Sequence, residues 1–157
     1  ISEKGTTNGH ILIVEFLVKN GAEIKAIDKY GSTSLHCAAL VGNLSVLELL
    51  VKNGGDIKCT NNSGDTVLHS AALGGNLSVI EYLVKKGADV KSINSEGETV
   101  LHSAVQGGNL SVTEYLVKNG GDIKSTNNSD DIMIEFILIL FVRSGTDILN
   151  LLRDKTI

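Results

Sequence analysis

The phrase Thr66-Val67-Leu68-His69-Ser70-Ala71-Ala72-Leu73-Gly74-Gly75-Asn76-Leu77-Ser78 returns, with few changes, 33 residues earlier from Thr33 and 33 residues later from Thr99. No other property of the chain restricts its fold so strongly. A unit this short cannot bury its own apolar face, so copies must stack and share a continuous strip of core. At 157 residues the chain is long enough for a rounded core; the repeat predicts an elongated one instead.

Full units fall at 28–60, 61–93 and 94–126, after a truncated unit at 1–27 and before a divergent stretch at 127–157. Each full unit opens with Asp28, Asn61 or Asn94, followed three residues later by Gly31, Gly64 or Gly97. An Asx side chain caps a turn and glycine supplies positive φ, so a tight turn is expected. Thr33, Thr66 and Thr99 then stand as N-caps of a short helix that Gly42, Gly75 and Gly108 stop. A second helix follows, with apolar residues at helical spacing and a Glu-to-Lys pair four residues apart, as in Glu81 and Lys85. Gly21, Gly54, Gly87 and Gly120 end these second helices.

The order turn, Thr-x-Leu-His, Ala-Ala, Gly-Asn-Leu, Gly-Ala-Asp at this period resembles the ankyrin repeat over roughly residues 9–126. One departure is the proline usual after the Thr, replaced here by Ser34, Val67 and Val100; slightly less stable helix starts follow, not another fold. The resemblance implies an all-α solenoid of stacked antiparallel helix pairs with short β-hairpin-like turns. It also implies a non-catalytic protein-interaction module. The alternative is a regulatory or targeting domain of a larger enzyme or membrane protein.

His36, His69 and His102 invite a metal or catalytic reading, but they lie one per unit. Stacked helices sit about 8–10 Å apart, whereas zinc ligands approach one ion to about 2 Å, so the three cannot share a metal. The resemblance implies instead that each hydrogen-bonds the turn backbone. No nucleophile, base and orienting group fall at a catalytic spacing, and no phosphate-cradling loop appears, so neither enzyme activity nor a cofactor is expected. The formal charge of −4 leaves no basic face for nucleic acid. Cys37 and Cys59 cannot form a disulfide framework in a chain this long and read as reduced, buried thiols. Asn-x-Ser triplets begin at Asn43, Asn61, Asn76, Asn109 and Asn127; a cytoplasmic location avoids their glycosylation. There is no signal peptide and no initial Met, which reads as a piece of a longer protein.

Differences between units carry the functional signal. The second and third full units differ at Asn62 and Ser95, Ser63 and Glu96, Asp65 and Glu98, Leu73 and Gln106, and Ile93 and Thr126. The first unit offers Lys29, Tyr30, Ser32, Leu40 and Val41. In ankyrin-like proteins the turn tips and first-helix ends form the hairpin tips and the concave groove that meet protein partners. The expected site is therefore Lys29, Tyr30, Ser32, Leu40, Val41, Asn62, Ser63, Asp65, Leu73, Ser95, Glu96, Glu98 and Gln106, with Tyr30 and Leu40 as apolar anchor. The tips turn acidic through Asp65, Glu96, Glu98, Asp130 and Asp131, so basic partner residues are expected toward the C-terminal end. The run Ile132 to Val142, apolar except for Glu135, is too short to cross a bilayer. It reads as a helix awaiting cover, a self-association surface or an aggregation-prone end.

Overall fold

The computed structural model describes residues 3–129 and 133–145, without the side chains of residues 3–9, 134 and 136. Eight helices occupy these residues: α1 (Glu3–Lys19), α2 (Ser34–Leu40), α3 (Leu44–Lys52), α4 (Val67–Gly74), α5 (Leu77–Lys85), α6 (Val100–Gly107), α7 (Leu110–Lys118) and α8 (Met133–Ser144). The pairs α2/α3, α4/α5 and α6/α7 are the helix pairs of the repeat. Helices α2, α4 and α6 pack in series as an inner row, and α3, α5 and α7 pack behind them as an outer row.

Each turn forms as its residues dictate. The Oδ1 of Asp28 accepts the N–H groups of Tyr30 and Ser32, Asn61 those of Ser63 and Asp65, and Asn94 those of Glu96 and Glu98, at 2.8–3.0 Å. Single antiparallel bridges Ile27 to Thr33, Thr60 to Thr66 and Ile93 to Thr99 close the turns without a strand. The backbone then enters the inner helix at Thr33, Thr66 or Thr99, each an N-cap in extended conformation. Gly75 adopts φ +74° at the end of α4, a left-handed C-cap that glycine reaches at little cost.

The core runs along the stack: Leu35, Ala38 and Ala39 in α2, Leu68, Ala71 and Ala72 in α4, and Leu101 and Ala104 in α6 meet Leu47 and Leu50, Val79, Ile80 and Leu83, and Val112 and Leu116 from the outer row. Small residues let the inner helices close up. A methyl added to Gly74 would collide with the carbonyl oxygen of Leu40.

Both ends depart from the repeat. Residues 1–27 lack the Thr-x-Leu-His signature that opens the inner helices of the full units, and they supply α1 as one helix from Glu3 that continues through Gly9. Its apolar side is left open at Leu12, Ile13, Phe16 and Leu17. At the other end, the apolar run is the helix α8, with Met133, Ile137 and Phe141 buried and Leu138, Ile139 and Val142 exposed. Asp130, Asp131, Ile132 and the piece from Thr146 onward lie outside the described residues. One expectation is corrected: Cys37 is exposed and Cys59 half-buried, both as free thiols. Cys37 sits on α2 where the buried stripe is carried by Leu35, Ala38 and Ala39, which leaves its own side chain to solvent.

Candidate partner-binding site

The three repeat histidines are the first candidates that the geometry decides. In each inner helix the Nδ1 accepts the N–H of the N-cap threonine, at 3.2 Å for His36 and His69 and 3.0 Å for His102. The ring therefore closes a capping box in the place where Glu or Gln usually serves. An Nδ1 that accepts a backbone N–H carries no proton, so Nε2 carries it. In His36 that Nε2–H donates to the carbonyl of Asp65 at 3.1 Å, and in His69 to the carbonyl of Glu98 at 3.3 Å. His36 and His69 thus tie their own helix starts to the turn of the next unit. Burial holds both rings below the ordinary histidine pKa, against smaller opposing contributions from the carbonyls and carboxylates around them. Among the described residues no group of three or more His, Cys, Asp or Glu is placed to hold a metal ion.

The turns are joined by a ladder of their own. The N–H of Asn62 donates to Tyr30, that of Ser95 to Ser63, and that of Asn128 to Glu96, each at 2.9 Å. Side-chain amides add a second rung: Asn62 Nδ2 reaches the carbonyl of Lys29 and Asn128 Nδ2 that of Ser95, both at 3.2 Å. Ser95 has no amide to repeat this. The tips consequently form a fixed row along one edge.

The predicted site residues fall into two groups on this frame. Tyr30, Leu40, Val41 and Leu73 are exposed at 62, 44, 76 and 41 %, large apolar side chains left in solvent on the turn tips and inner helices. Leu40 and Leu73 hold equivalent places on successive inner helices, Gln106 holds the third, and it too is exposed. The Lys29 ammonium lies 4.8 Å from the centre of the Tyr30 ring, a cation–π contact that holds the tip aromatic. Lys29, Asn62, Ser63, Ser95 and Glu96 are exposed at the tips, with their side chains or backbones used in the ladder as described, and Ser32 is half-buried.

Asp65 and Glu98 form the second group, half-buried and committed to the frame. Asn94 Nδ2 donates to Asp65 Oδ1 at 2.8 Å and to Glu98 Oε2 at 3.3 Å, and Asn61 Nδ2 approaches Asp65 Oδ2 at 3.3 Å. One amide therefore bridges the carboxylates of neighbouring units. The bridging role of Asn94 and the rungs of Asn62 and Asn128 escaped the sequence reading. So did Asn43, Asn76 and Asn109, whose Oδ1 atoms cap the outer helices through the N–H groups of Val46, Val79 and Val112. The Gly-Asn-Leu-Ser phrase at the head of an apolar period was the available signal.

A cleft of about 600 Å³ opens between the return loops around Lys91 and Lys124, with Asp122, Thr99 and Ser125 in its wall. A smaller one of about 230 Å³ holds the corresponding Lys58, Asp89, Thr66 and Ser92 one unit earlier. The clefts repeat with the scaffold, and Asp89 and Asp122 spend an oxygen on the N–H of Lys91 and Lys124. No helix among the described residues is long and apolar enough to cross a membrane.

No match was found among curated proteins. The family model for ankyrin repeats matches the chain in three copies, over residues 6–61 and 40–127. That span takes in the capped helix pairs, the histidine ties and the row of tips, and the chain belongs to the ankyrin-repeat family.

Proposed function

We propose that this chain is a protein-interaction module whose inner-helix face and turn tips hold a segment of a partner protein. Ankyrin repeats are generally modules of this kind, without catalysis of their own. The observation that carries the reading is the exposed apolar set Tyr30, Leu40, Val41 and Leu73, on a frame that fixes it in place before any partner arrives. Preorganised apolar anchors give affinity because little ordering remains to be done on binding. Lys29, Ser32, Asn62, Ser63, Asp65, Ser95, Glu96, Glu98 and Gln106 complete the face as its polar surround.

Capture of partners from the native source by the full chain, beside the double variant Tyr30→Ala/Leu40→Ala, tests the assignment. Tyr30 and Leu40 both lie outside the buried core, at 62 and 44 % exposure, so the fold should hold while the partner is lost. Retention of the same partner by the variant removes this face from consideration.

We infer a cytoplasmic location from the use made of the Asn-x-Ser asparagines. Asn109 Nδ2 donates to Gly75 at 2.9 Å while its Oδ1 caps α7, and both Asn61 side-chain atoms are engaged in the turn. A glycan on either nitrogen would compete with bonds that hold the repeat. Self-association, proposed for the run from Ile132 to Val142, would use its exposed side chains Leu138, Ile139 and Val142. Light scattering on the chain and on Leu138→Gln/Val142→Gln tests it; equal monomer masses for the two rule it out.

A further inference from the structure

The charge of the face points to the chemistry of the segment it holds. Residues 61–76 and 94–109, the turn and inner helix of the second and third full units, contain no Lys or Arg. The same stretch of the first full unit, 28–43, contains Asp28 and Lys29 and is neutral. The formal charge of turn plus inner helix therefore runs 0, −1 through Asp65, and −2 through Glu96 and Glu98. The remaining lysines of the three units, Lys52, Lys58, Lys85, Lys86, Lys91, Lys118 and Lys124, lie in outer helices and return loops. Along the turn tips and inner-helix ends of the three full units, the exposed large apolar side chains Tyr30, Leu40, Val41 and Leu73 belong to the first two, whereas Glu96 and Gln106 stand at the third.

We propose that the partner segment is cationic: an extended stretch that follows the row of turn tips, with one large apolar side chain seated at Tyr30 and Lys or Arg side chains over Glu96 and Glu98. This rests on the reading above and gives it a direction and a spacing. Successive helix pairs lie about 8–10 Å apart, so two steps span about 16–20 Å. An extended chain advances about 3.3 Å per residue, which sets anchor and basic residues about six positions apart. The backbone rungs from Tyr30 to Asn62 and from Ser63 to Ser95, at 2.9 Å, fix that separation in the receptor. Complementary charge of this kind steers encounter and selects register more than it adds raw affinity.

The test uses synthetic peptides on the full chain, read by fluorescence anisotropy. Each carries one Leu anchor and an Arg-Lys pair placed about three, six or nine residues away; a fourth carries Glu-Asp in place of the pair. The six-residue spacing should bind tightest and the acidic peptide weakest. Glu96→Lys, at an exposed tip, should weaken the best peptide by about fivefold or more, and raising salt from about 50 to 300 mM should do the same to the native chain. Equal binding of the three spacings, no change with Glu96→Lys, or binding of none of the peptides overturns the proposal. The broader reading is separable. A native partner lost with Tyr30→Ala/Leu40→Ala but retained by Glu96→Lys leaves the face intact and sinks only its cationic ligand.

Discussion

At the residue scale, the histidines bear the heaviest local burden. His69 is 1 % exposed, accepts one backbone N–H and donates to the next turn. Removing the ring takes from the Thr66 N–H its bond to Nδ1, at about 1–3 kcal/mol for an unsatisfied group, leaves the Glu98 carbonyl with the Asn94 N–H alone, and opens a void in the stack. His69→Ala is therefore expected to lower unfolding stability by about 2–4 kcal/mol in urea titrations. A pH dependence follows from the same contacts. His36 and His69 titrate below 6.5 when folded and near 6.5 when unfolded, so around and below pH 6.5 the unfolded chain binds more protons. Stability is fully present above that value and is lost as the pH falls through the lower folded pKa values; His69→Ala should flatten this fall. A native chain whose urea midpoint is unchanged between pH 7.5 and pH 5 would contradict the assigned tautomer. The sequence made the histidine legible as a fixture through its recurrence. It could not show the link to Glu98, a contact across 29 positions that exists only once the units have stacked.

At the scale of the element, a 33-residue unit is held by its ends. Helices of seven to nine residues have few internal bonds for the cost of starting them, so caps decide whether they form. Asn109 makes two bonds of this kind: its Oδ1 accepts the N–H of Val112, and its Nδ2 donates to the carbonyl of Gly75 in the preceding unit. Asn109→Ala should cost about 1–2 kcal/mol, and Asn109→Ser, which keeps a capping oxygen, should recover part of it. Gly75→Ala places a methyl at φ +74°, where an added Cβ would also come to 3.0 Å from the Asn109 Cβ. A loss of at least about 1 kcal/mol is expected there, measured against Ser78→Ala, an exposed substitution in the first turn of the adjoining helix. Turns, inner helices and glycine stops were legible because each repeats the same chemistry three times. The caps at Asn43, Asn76 and Asn109 were hidden in plain view, since the Asn-x-Ser triplet also spells a glycosylation acceptor. The exposure of Cys37 was illegible for another reason: a thiol has no polarity strong enough to say which side of a helix it takes.

For the whole molecule, the proposed binding face and the stability of the stack are separate properties of one row. Tyr30, Leu40, Val41 and Leu73 could be singled out from the sequence because the third unit keeps none of them, with Glu96, Gln106 and Gly107 in their places, yet the frame that presents them is built from contacts between units. Each inner helix packs on its neighbours in the row, α4 between α2 and α6, whereas α8 packs at the end of the stack, on α6 and α7. A linear array of this kind gains stability from nearest neighbours, so the reach of a core defect depends on where it lies. Leu68, 1 % exposed in α4, is the central case; Leu68→Ala should cost about 2–5 kcal/mol. Its loss should speed amide hydrogen exchange in α2 and α6 as well as in α4, because the two interfaces of α4 weaken together. Phe141 is equally buried at 2 % but lies at the end of the row. Phe141→Ala should release the amides of α8 and leave those of α2 through α5 as slow as before. The apolar part of the proposed partner-binding face, carried by the first two units, should then still be presented to a ligand. Exchange rising uniformly from α2 to α8 in Phe141→Ala would mean that the chain unfolds as one unit, and that defects at its C-terminal end reach the face through global stability alone.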